Sequence, residues 1–276
     1  MFTAFDRLEA QARQWRVTVN ETRGTVGSVI GLGERRGSAV VLKVIRDQGD
    51  EWHSGEVLRA FQGCGTVRVL ESVPGAILME RLEPGESLVN LVRQQQDEDA
   101  TEILAEVMRQ MAGHTAPVGC PTVEDWSRSF DRYLTSPNKQ IPRELVCEAR
   151  DVYQDLMASP RTQMLLHGDL QHYNVLSDKN RGWIAIDPKG VVGELEYEVG
   201  AILRNPTELP DLFTSRVVIE RRIEVLAKRL PLNYERMISW AFAQAVLSAI
   251  WDVQDGYPIE PENGAVKLAK VLTSIC

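Results

Sequence analysis

The chain has 276 residues, of which 43% are hydrophobic and 25% are charged, a composition typical of a globular protein with a sizeable core. Its formal net charge is −8 and its pI is about 5.2. No basic stretch is available to neutralise the phosphates of a nucleic acid, so nucleic acid is excluded as a partner. The acidic balance favours a cationic small substrate.

Four cysteines, Cys64, Cys120, Cys147 and Cys276, are scattered without a Cys-x-x-Cys pair. This spacing argues against a metal site and a disulfide framework, and it predicts reduced thiols. The chain starts with an amphipathic helix at residues 5–15 and not with a signal peptide, and no apolar run reaches the ~20 residues of a membrane span. We therefore expect a cytoplasmic protein without membrane contact.

Glycine-rich turns separate three apolar segments near the N-terminus. The segments at 17–19, 27–32 and 38–45 alternate or run apolar, which predicts an antiparallel meander. The turn at residues 22–28, which ends at Ser28, is a candidate cover for nucleotide phosphates through its backbone N–H groups. A plain hairpin turn explains the same residues equally well.

Lys43 is a charge inside a strand of buried type. A lysine at the edge of a sheet is the common explanation, and pairing with an acidic residue and nucleotide phosphates is the functional one. The helix predicted at residues 50–61 offers Glu51 and Glu56 as partners. Glu51 lies seven residues before Leu58 and so shares its inward face, and for this reason we favour Glu51.

Strands at 67–70 and 76–79 complete the small sheet, and a connector that begins at Glu80 and includes Leu82 leaves it. A short helix at 87–94 follows.

Helical spacing dominates from residue 100 onward. Helices are predicted at residues 101–114, 123–134, 143–158, 214–229 and 234–253. The polar run at 94–99 is predicted to be an exposed loop whose acids open the next helix. The repeat of Trp126, Phe130 and Tyr133 indicates a packing stripe.

The last predicted helix, at residues 234–253, is strongly apolar and should be the buried centre of the larger lobe. Four acids lie in or just after its end: Asp252, Asp255, Glu260 and Glu262. A solvated acidic loop is our preferred interpretation of each, and the rim of a substrate cleft is the alternative.

Oxygen-bearing side chains stand at the ends of two short strands in residues 165–187. The loop that begins at His167 contains Asp169 and Asn174, and the second strand ends at Asp187. Such a set can hold a nucleotide-bound Mg²⁺, which takes few protein oxygens, and leaves one carboxylate to accept a proton. An ordinary hairpin with polar tips does not explain why acids and an amide gather at both strand ends.

The order His-x-Asp-Leu-x-x-x-Asn, followed thirteen residues later by Asp, is that of the catalytic loop and metal-binding Asp of protein-kinase-like enzymes. With Ile186-Asp187-Pro188 and Leu203-Arg204-Asn205-Pro206, it resembles the aminoglycoside phosphotransferase family. The similarity is greatest to the branch of streptomycin 6-phosphotransferases and hydroxyurea kinases.

The resemblance implies a bilobal protein-kinase-like α+β fold, with a small β-rich lobe and a larger helical lobe. The expected division is an N-terminal nucleotide-binding lobe at residues 1–82 and a C-terminal lobe at 83–276, which holds the catalytic loop and the substrate site. It also implies ATP and Mg²⁺ as cofactors.

The resemblance assigns a role to each matching residue. Asp169 would be the catalytic base, Asn174 and Asp187 the Mg²⁺ ligands, and Lys43, paired with Glu51, the phosphate-binding lysine. Ser28, Glu80 and Leu82 complete the expected nucleotide site. His167 would support the loop from the core, and Glu198 stands where relatives usually have an Asp that braces it.

The implied activity is that of a transferase: ATP-dependent phosphorylation of a hydroxyl on a small, cationic molecule. Gln171 replaces the lysine of protein-serine kinases and no Ala-Pro-Glu segment follows Asp187, so a protein substrate is disfavoured. An aminoglycoside of the streptomycin type, and thus an antibiotic resistance kinase, is the leading hypothesis. A metabolic sugar or amino-alcohol kinase and a non-catalytic pseudokinase are the alternatives. The oligomeric state is not predicted.

Overall fold

The computed structural model describes residues 3–260 and 263–275. A five-stranded antiparallel sheet forms the N-terminal part, in the order β1-β2-β3-β5-β4. Its strands are β1 (Thr18–Gly24), β2 (Ser28–Arg35), β3 (Ser38–Ile45), β4 (Val69–Val73) and β5 (Ala76–Glu80). The predicted meander is therefore present, but β1 continues to Gly24 because its residues pair with β2, and this shortens the predicted 22–28 turn.

Helix α1 (Ala4–Trp15) packs its apolar face on this sheet. Thr3 and Asp6 close its N-terminus with a reciprocal capping box. Leu8, Ala12 and Trp15 are buried in a cluster with side chains of β2 and β3. The segment predicted as one helix at 50–61 is a 3₁₀ turn (Asp50–His53) that leads into α2 (Ser54–Ala60).

Helices make up most of the chain after residue 88. They are α3 (Val89–Arg93), α4 (Asp97–Met111), α5 (Val123–Thr135), α6 (Arg143–Ala158), α7 (Val199–Leu203), α8 (Pro210–Phe213), α9 (Arg216–Arg229), α10 (Tyr234–Gln254) and α11 (Gly264–Leu272). Helix α10 packs against α5, α6, α7, α9 and α11. The prediction of a buried apolar helix there is confirmed, since twelve of its residues are buried.

Short strands carry the polar residues of the loop region. They are β6 (Pro84–Ser87), β7 (Met164–Leu166), β8 (Val175–Asp178), β9 (Gly182–Ala185) and β10 (Val191–Gly193). β6, β8 and β9 form one antiparallel sheet, and β7 pairs with β10. The predicted helix at 87–94 is shorter, because the chain stays extended to Ser87 to pair with β8.

The prediction that residues 94–99 form an exposed loop is wrong for Asp97. Helix α4 begins at this residue, and its carboxylate is buried against the guanidinium of Arg222, at 2.5 Å. A long-range ion pair, invisible in the local polar pattern, accounts for the difference.

Cys64, Cys120 and Cys147 are free, and Cys276 lies outside the described residues. Within the described ranges, no helix combines the length and the apolar character that crossing a membrane requires.

Candidate active site

The segment between β7 and β8, which we call the 167–174 loop, is tied to the end of β9 by His167. This side chain is fully buried, and its Nε2 donates to the carbonyl of Ile186 at 2.8 Å, while Nδ1 accepts from the Asp169 N–H at 3.3 Å. Burial lowers the pKa of His167, so the ring stays neutral. These contacts fit a supporting role in the core.

Asp169 presents its carboxylate between two nitrogen donors. The Asn174 amide nitrogen donates to the Asp169 carbonyl at 2.9 Å and to its Oδ2 at 3.3 Å. The Arg204 guanidinium lies 3.4 Å from Oδ1. Both contacts of Asn174 use its amide nitrogen, so Asn174 and Arg204 restrain the Asp169 residue from two directions.

Lys43 joins the N-terminal sheet to the end of β9. Its ammonium lies 2.9 Å from Glu51 Oε2 and 2.9 Å from Asp187 Oδ1. Burial lowers the pKa of Lys43, but the two carboxylates outweigh burial and raise the pKa above its usual value. Glu56 instead contacts His53 at the surface, 3.0 Å away. Glu51 is therefore the acid beside Lys43.

Asp187 has a backbone φ of +57°. This left-handed conformation is uncommon outside glycine and is found most often where a surrounding structure enforces it, as at functional sites. It turns the chain sharply at the end of β9. The Ile186 N–H donates to the Asn174 carbonyl at 2.8 Å, so Asn174 before β8 and Asp187 beyond β9 lie on neighbouring segments of the chain.

A cavity of about 400 Å³ lies beside these residues. Lys43, Glu80, Leu82 and Asp187 line it, and so do apolar residues of both the N-terminal sheet and the β8–β9 hairpin. The Glu80 carboxylate also accepts from the Arg68 N–H at 2.9 Å and from Arg181.

Two residues of the predicted nucleotide site, Ser28 and Glu51, are outside the set of described residues that line the cavity. Glu51 still contacts Lys43, whereas Ser28 is almost fully buried in a turn. Its hydroxyl is 2.8 Å from the Thr25 hydroxyl, an interaction that closes the turn between β1 and β2.

The Glu198 carboxylate contacts the backbone of the 167–174 loop. Its Oε1 accepts from the Gly168 N–H at 3.0 Å, and Oε2 has no hydrogen-bond partner in the described part of the chain. Burial raises the pKa of Glu198 to about 7, against the lowering effect of the backbone N–H groups it faces. The bracing contact expected of an Asp is thus made by the longer Glu.

A second cavity, of about 250 Å³, lies between α5 and the end of α10, and we call it the tryptophan cavity. The rings of Trp126 and Trp251 meet edge to face with centroids 5.4 Å apart, and the Lys189 ammonium stands 5.4 Å from the Trp251 centroid. Its described lining is Asp125, Trp126, Ser129, Arg132, Lys189, Trp251, Gln254 and Asp255.

The tryptophan cavity changes the interpretation of two sequence features. Phe130 and Tyr133 are buried as predicted for a packing stripe, but Trp126 is only half-buried and lines the cavity. Among the four acids near the end of α10, Asp252 is half-buried, Asp255 lines the cavity and is exposed, and Glu260 is exposed, while Glu262 lies outside the described residues. The prediction of a solvated position is therefore wrong for Asp252.

Two groups near the loop were missed from the sequence. The sequence predicts no role for Arg204, although a glutamine at 171 in place of a lysine is a signal that a cation could come from elsewhere in the fold. The pair Asp97–Arg222 spans 125 positions and has no local signal. Arg222 also donates to the carbonyls of Ile202 and Asn205, at 3.0 and 2.7 Å, next to Arg204.

A match to a known protein family identifies the class of protein to which this site belongs. The sequence model of the family described as aminoglycoside/hydroxyurea antibiotic resistance kinase matches residues 12–256. The chain belongs to this family. It is accordingly a kinase, an enzyme that uses a nucleotide as phosphoryl donor, and the predicted membership is confirmed.

Individual relatives agree with this assignment. The kinase is 31% identical to streptomycin 3''-kinase of Klebsiella pneumoniae, over 88% of this chain and 91% of the relative. It is 26% identical to streptomycin 6-kinase of Streptomyces glaucescens, over 94% and 86%. Among solved structures, aminoglycoside phosphotransferase APH(4)-Ia superposes with a TM-score of 0.67 at 16% identity, covering 99% of this chain and all of that one. The protein-kinase-like fold is confirmed.

Proposed function

We propose that this kinase transfers the γ-phosphoryl group of ATP to a hydroxyl of an aminoglycoside of the streptomycin type. Both relatives named above are streptomycin kinases, but they are named for different positions of the drug. The proposal therefore names the substrate class and leaves the acceptor hydroxyl to experiment.

Asp169 acts as the base in this proposal. Its carboxylate orients the substrate hydroxyl and takes its proton as the oxygen attacks the γ-phosphorus, while the bond from phosphorus to the bridging oxygen breaks and ADP leaves with the electron pair. Lys43, which lines the cavity, stabilises phosphate charge and is held in place by Glu51 and Asp187. Positioning supplies most of the rate enhancement in such a reaction.

The donor set beside the cavity fits Mg²⁺. The Asp187 carboxylate and the amide oxygen of Asn174 are hard oxygen ligands, and Mg²⁺ commonly takes one or two protein ligands when nucleotide phosphates supply the others. When bound, the ion neutralises charge on the phosphates. Asn174 and Asp187 are the residues that would hold it.

The tryptophan cavity is the observation that favours an aminoglycoside. Aminoglycosides carry several cationic groups and hydroxyls. This cavity offers the carboxylates of Asp125 and Asp255 and the Trp126 indole to cations, while Arg132 and Lys189, which already stands over the Trp251 ring, can donate to hydroxyl oxygens. It adjoins the 167–174 loop, because Trp126 Cη2 would lie only 2.9 Å from a Cβ added at Gly168. A cation bound there would lie close to Asp169.

The first experiment is coupled ADP release with Mg·ATP across a panel of streptomycin, other aminoglycosides, hydroxyurea, sugars and amino alcohols. We expect turnover with streptomycin. Asp169→Asn should abolish it and leave ATP binding nearly intact. Asp151→Asn, a matched change at an exposed position of α6, should behave as wild type.

Other outcomes would redirect the assignment. Turnover on a sugar or amino alcohol with none on any aminoglycoside would support a metabolic kinase. Failure to bind Mg·ATP would support a pseudokinase. Near-normal turnover by Asp169→Asn would refute the role of Asp169 as base.

A further inference from the structure

The 167–174 loop itself contains no lysine or arginine that could stand beside the base. Gln171 occupies the position of the protein-serine kinase lysine. Its side chain folds back, and Oε1 accepts from the Tyr173 N–H at 2.8 Å, which caps the 3₁₀ turn His172–Asn174. Gln171 is largely buried in this position, so it does not reach toward a substrate.

A guanidinium from elsewhere in the fold lies at Asp169 instead. Arg204 follows the last residue of α7, and its Nη2 is 3.4 Å from Asp169 Oδ1. Its side chain is 11% exposed. At this distance the cation restrains the carboxylate and still leaves Oδ1 able to accept a proton, a contact that we expect to tighten when substrate binds.

Arg204 is itself held rigidly. Its Nη1 donates to Gln244 Oε1 at 3.1 Å, and the amide nitrogen of Gln244, which is buried in α10, donates to the carbonyl of Tyr197. Gly200 permits this close approach, since an added Cβ would lie 2.4 Å from Gln244 Oε1. The guanidinium is therefore fixed from behind by a side chain of the core helix.

One short segment thus reaches the loop at two adjacent residues. Glu198 accepts from the Gly168 N–H, and Arg204 contacts the Asp169 carboxylate. The end of the segment is anchored in turn, because Arg222 donates to the carbonyls of Ile202 and Asn205.

We propose that Arg204 is a positioning residue of the reaction, which orients the Asp169 carboxylate and supplies the positive charge that Gln171 does not. The assignment rests on the proposed role of Asp169 as base. It does not require that the substrate be an aminoglycoside.

The test measures kcat and KM separately for Arg204→Ala and Arg204→Lys. The acceptor is the one on which the wild-type enzyme turns over fastest, and if no organic acceptor reacts, the assay follows ATP hydrolysis, in which water is the acceptor. Loss of orientation should lower kcat of Arg204→Ala about 100-fold and change the KM for ATP little. Arg204→Lys should recover part of the rate, because it restores the charge but not the fork that bridges Asp169 and Gln244. It also provides a folded variant if the alanine variant is unstable.

Two comparisons separate positioning from structural support. Arg236→Lys removes a guanidinium of similar exposure, 13%, that contacts Glu194, and it should lower the melting temperature without a matching fall in kcat. In an Asp169→Asn background, Arg204→Ala should have little further effect on residual turnover, measured with labelled ATP over hours, because the two residues act as a unit.

A wild-type kcat in Arg204→Ala would overturn the proposal. So would an equal factor of reduction in turnover by Arg204→Ala in the wild-type and Asp169→Asn backgrounds. Absence of turnover on every aminoglycoside would refute the proposed substrate class instead. The failure of the Arg204 proposal and the failure of the proposed substrate class can be told apart, because the Arg204 variants can be compared by ATP hydrolysis without any aminoglycoside.

Discussion

Glu198 should make the stability of this kinase depend on pH in a direction unusual for a carboxylate. Burial raises the pKa of Glu198 from 4.5 to about 7. Between these values the folded state holds a proton that the unfolded state has released, so stability falls as pH rises. The shift corresponds to about 3 kcal/mol in total, lost between about pH 4.5 and 7.

Glu198→Gln removes this titration and keeps a carbonyl oxygen that can accept from the Gly168 N–H. The informative quantity is the unfolding free energy of wild type minus that of the variant. Other titrating groups contribute equally to both proteins and cancel in this difference. The effect of the substitution on packing is constant with pH, so it does not alter how the difference changes with pH. We expect this difference to fall by about 2–3 kcal/mol from pH 5 to pH 8. Urea unfolding followed by tryptophan fluorescence at four pH values measures it.

Glu106→Gln is the matched control. The Arg109 hydrogen bond lowers the pKa of Glu106 to about 2, so its contribution is present above pH 4.5 and is lost only as the pH falls further. The unfolding free energy of wild type minus that of Glu106→Gln should therefore not change between pH 5 and 8. A flat difference for Glu198→Gln as well would refute the reasoning from burial, since Glu198 would then ionise as an ordinary carboxyl.

Three further substitutions test other contacts. Asp97→Asn leaves the buried guanidinium of Arg222 without its counter-charge and should lower the unfolding free energy by about 3–5 kcal/mol in urea titrations. Gly168→Ala forces a Cβ against Trp126 at a φ of +78° and should destabilise the protein by about 1–3 kcal/mol and reduce turnover. Lys43→Met removes the cation beside the phosphate site and should lower kcat about 100-fold or more in the ADP-release assay.

Each of these predictions has a control or a contradicting result. Glu102→Gln breaks an exposed pair with Arg229 and should change stability by less than about 1 kcal/mol, in contrast to Asp97→Asn. Equal effects of the two would contradict the importance of burial. Full activity in Gly168→Ala or Lys43→Met would contradict the placement of the loop or the role of the lysine, respectively.

The features that the sequence predicted well are local ones. The two short strands predicted after the 167–174 loop are present as the β8–β9 hairpin, and the helix predicted at residues 143–158 has those bounds in the structure. Apolar periodicity also identified α10 as buried. In each case the residues that determine the structure lie within about one element of each other, where pattern and propensity are informative.

The features that it predicted poorly depend on distant partners. Residues 94–99 are polar, and five of the six are exposed, but Asp97 is buried because α9 brings Arg222 to it. Arg204 reaches Asp169 only because Gln244 of α10 holds it there. The half-buried position of Trp126 results from the packing of α5 against the end of α10, which one helical stripe cannot reveal.

Besides the His167 contact to the end of β9, the loop that carries Asp169 is restrained by two polar contacts from one outside segment. Apolar packing fixes the volume available to a loop, whereas each hydrogen bond or ion pair restrains a particular atom in a particular direction. Glu198 restrains the backbone at Gly168, and Arg204 restrains the carboxylate of the next residue. Substitutions that keep volume but remove one of these contacts should therefore reduce turnover more than they disturb the fold.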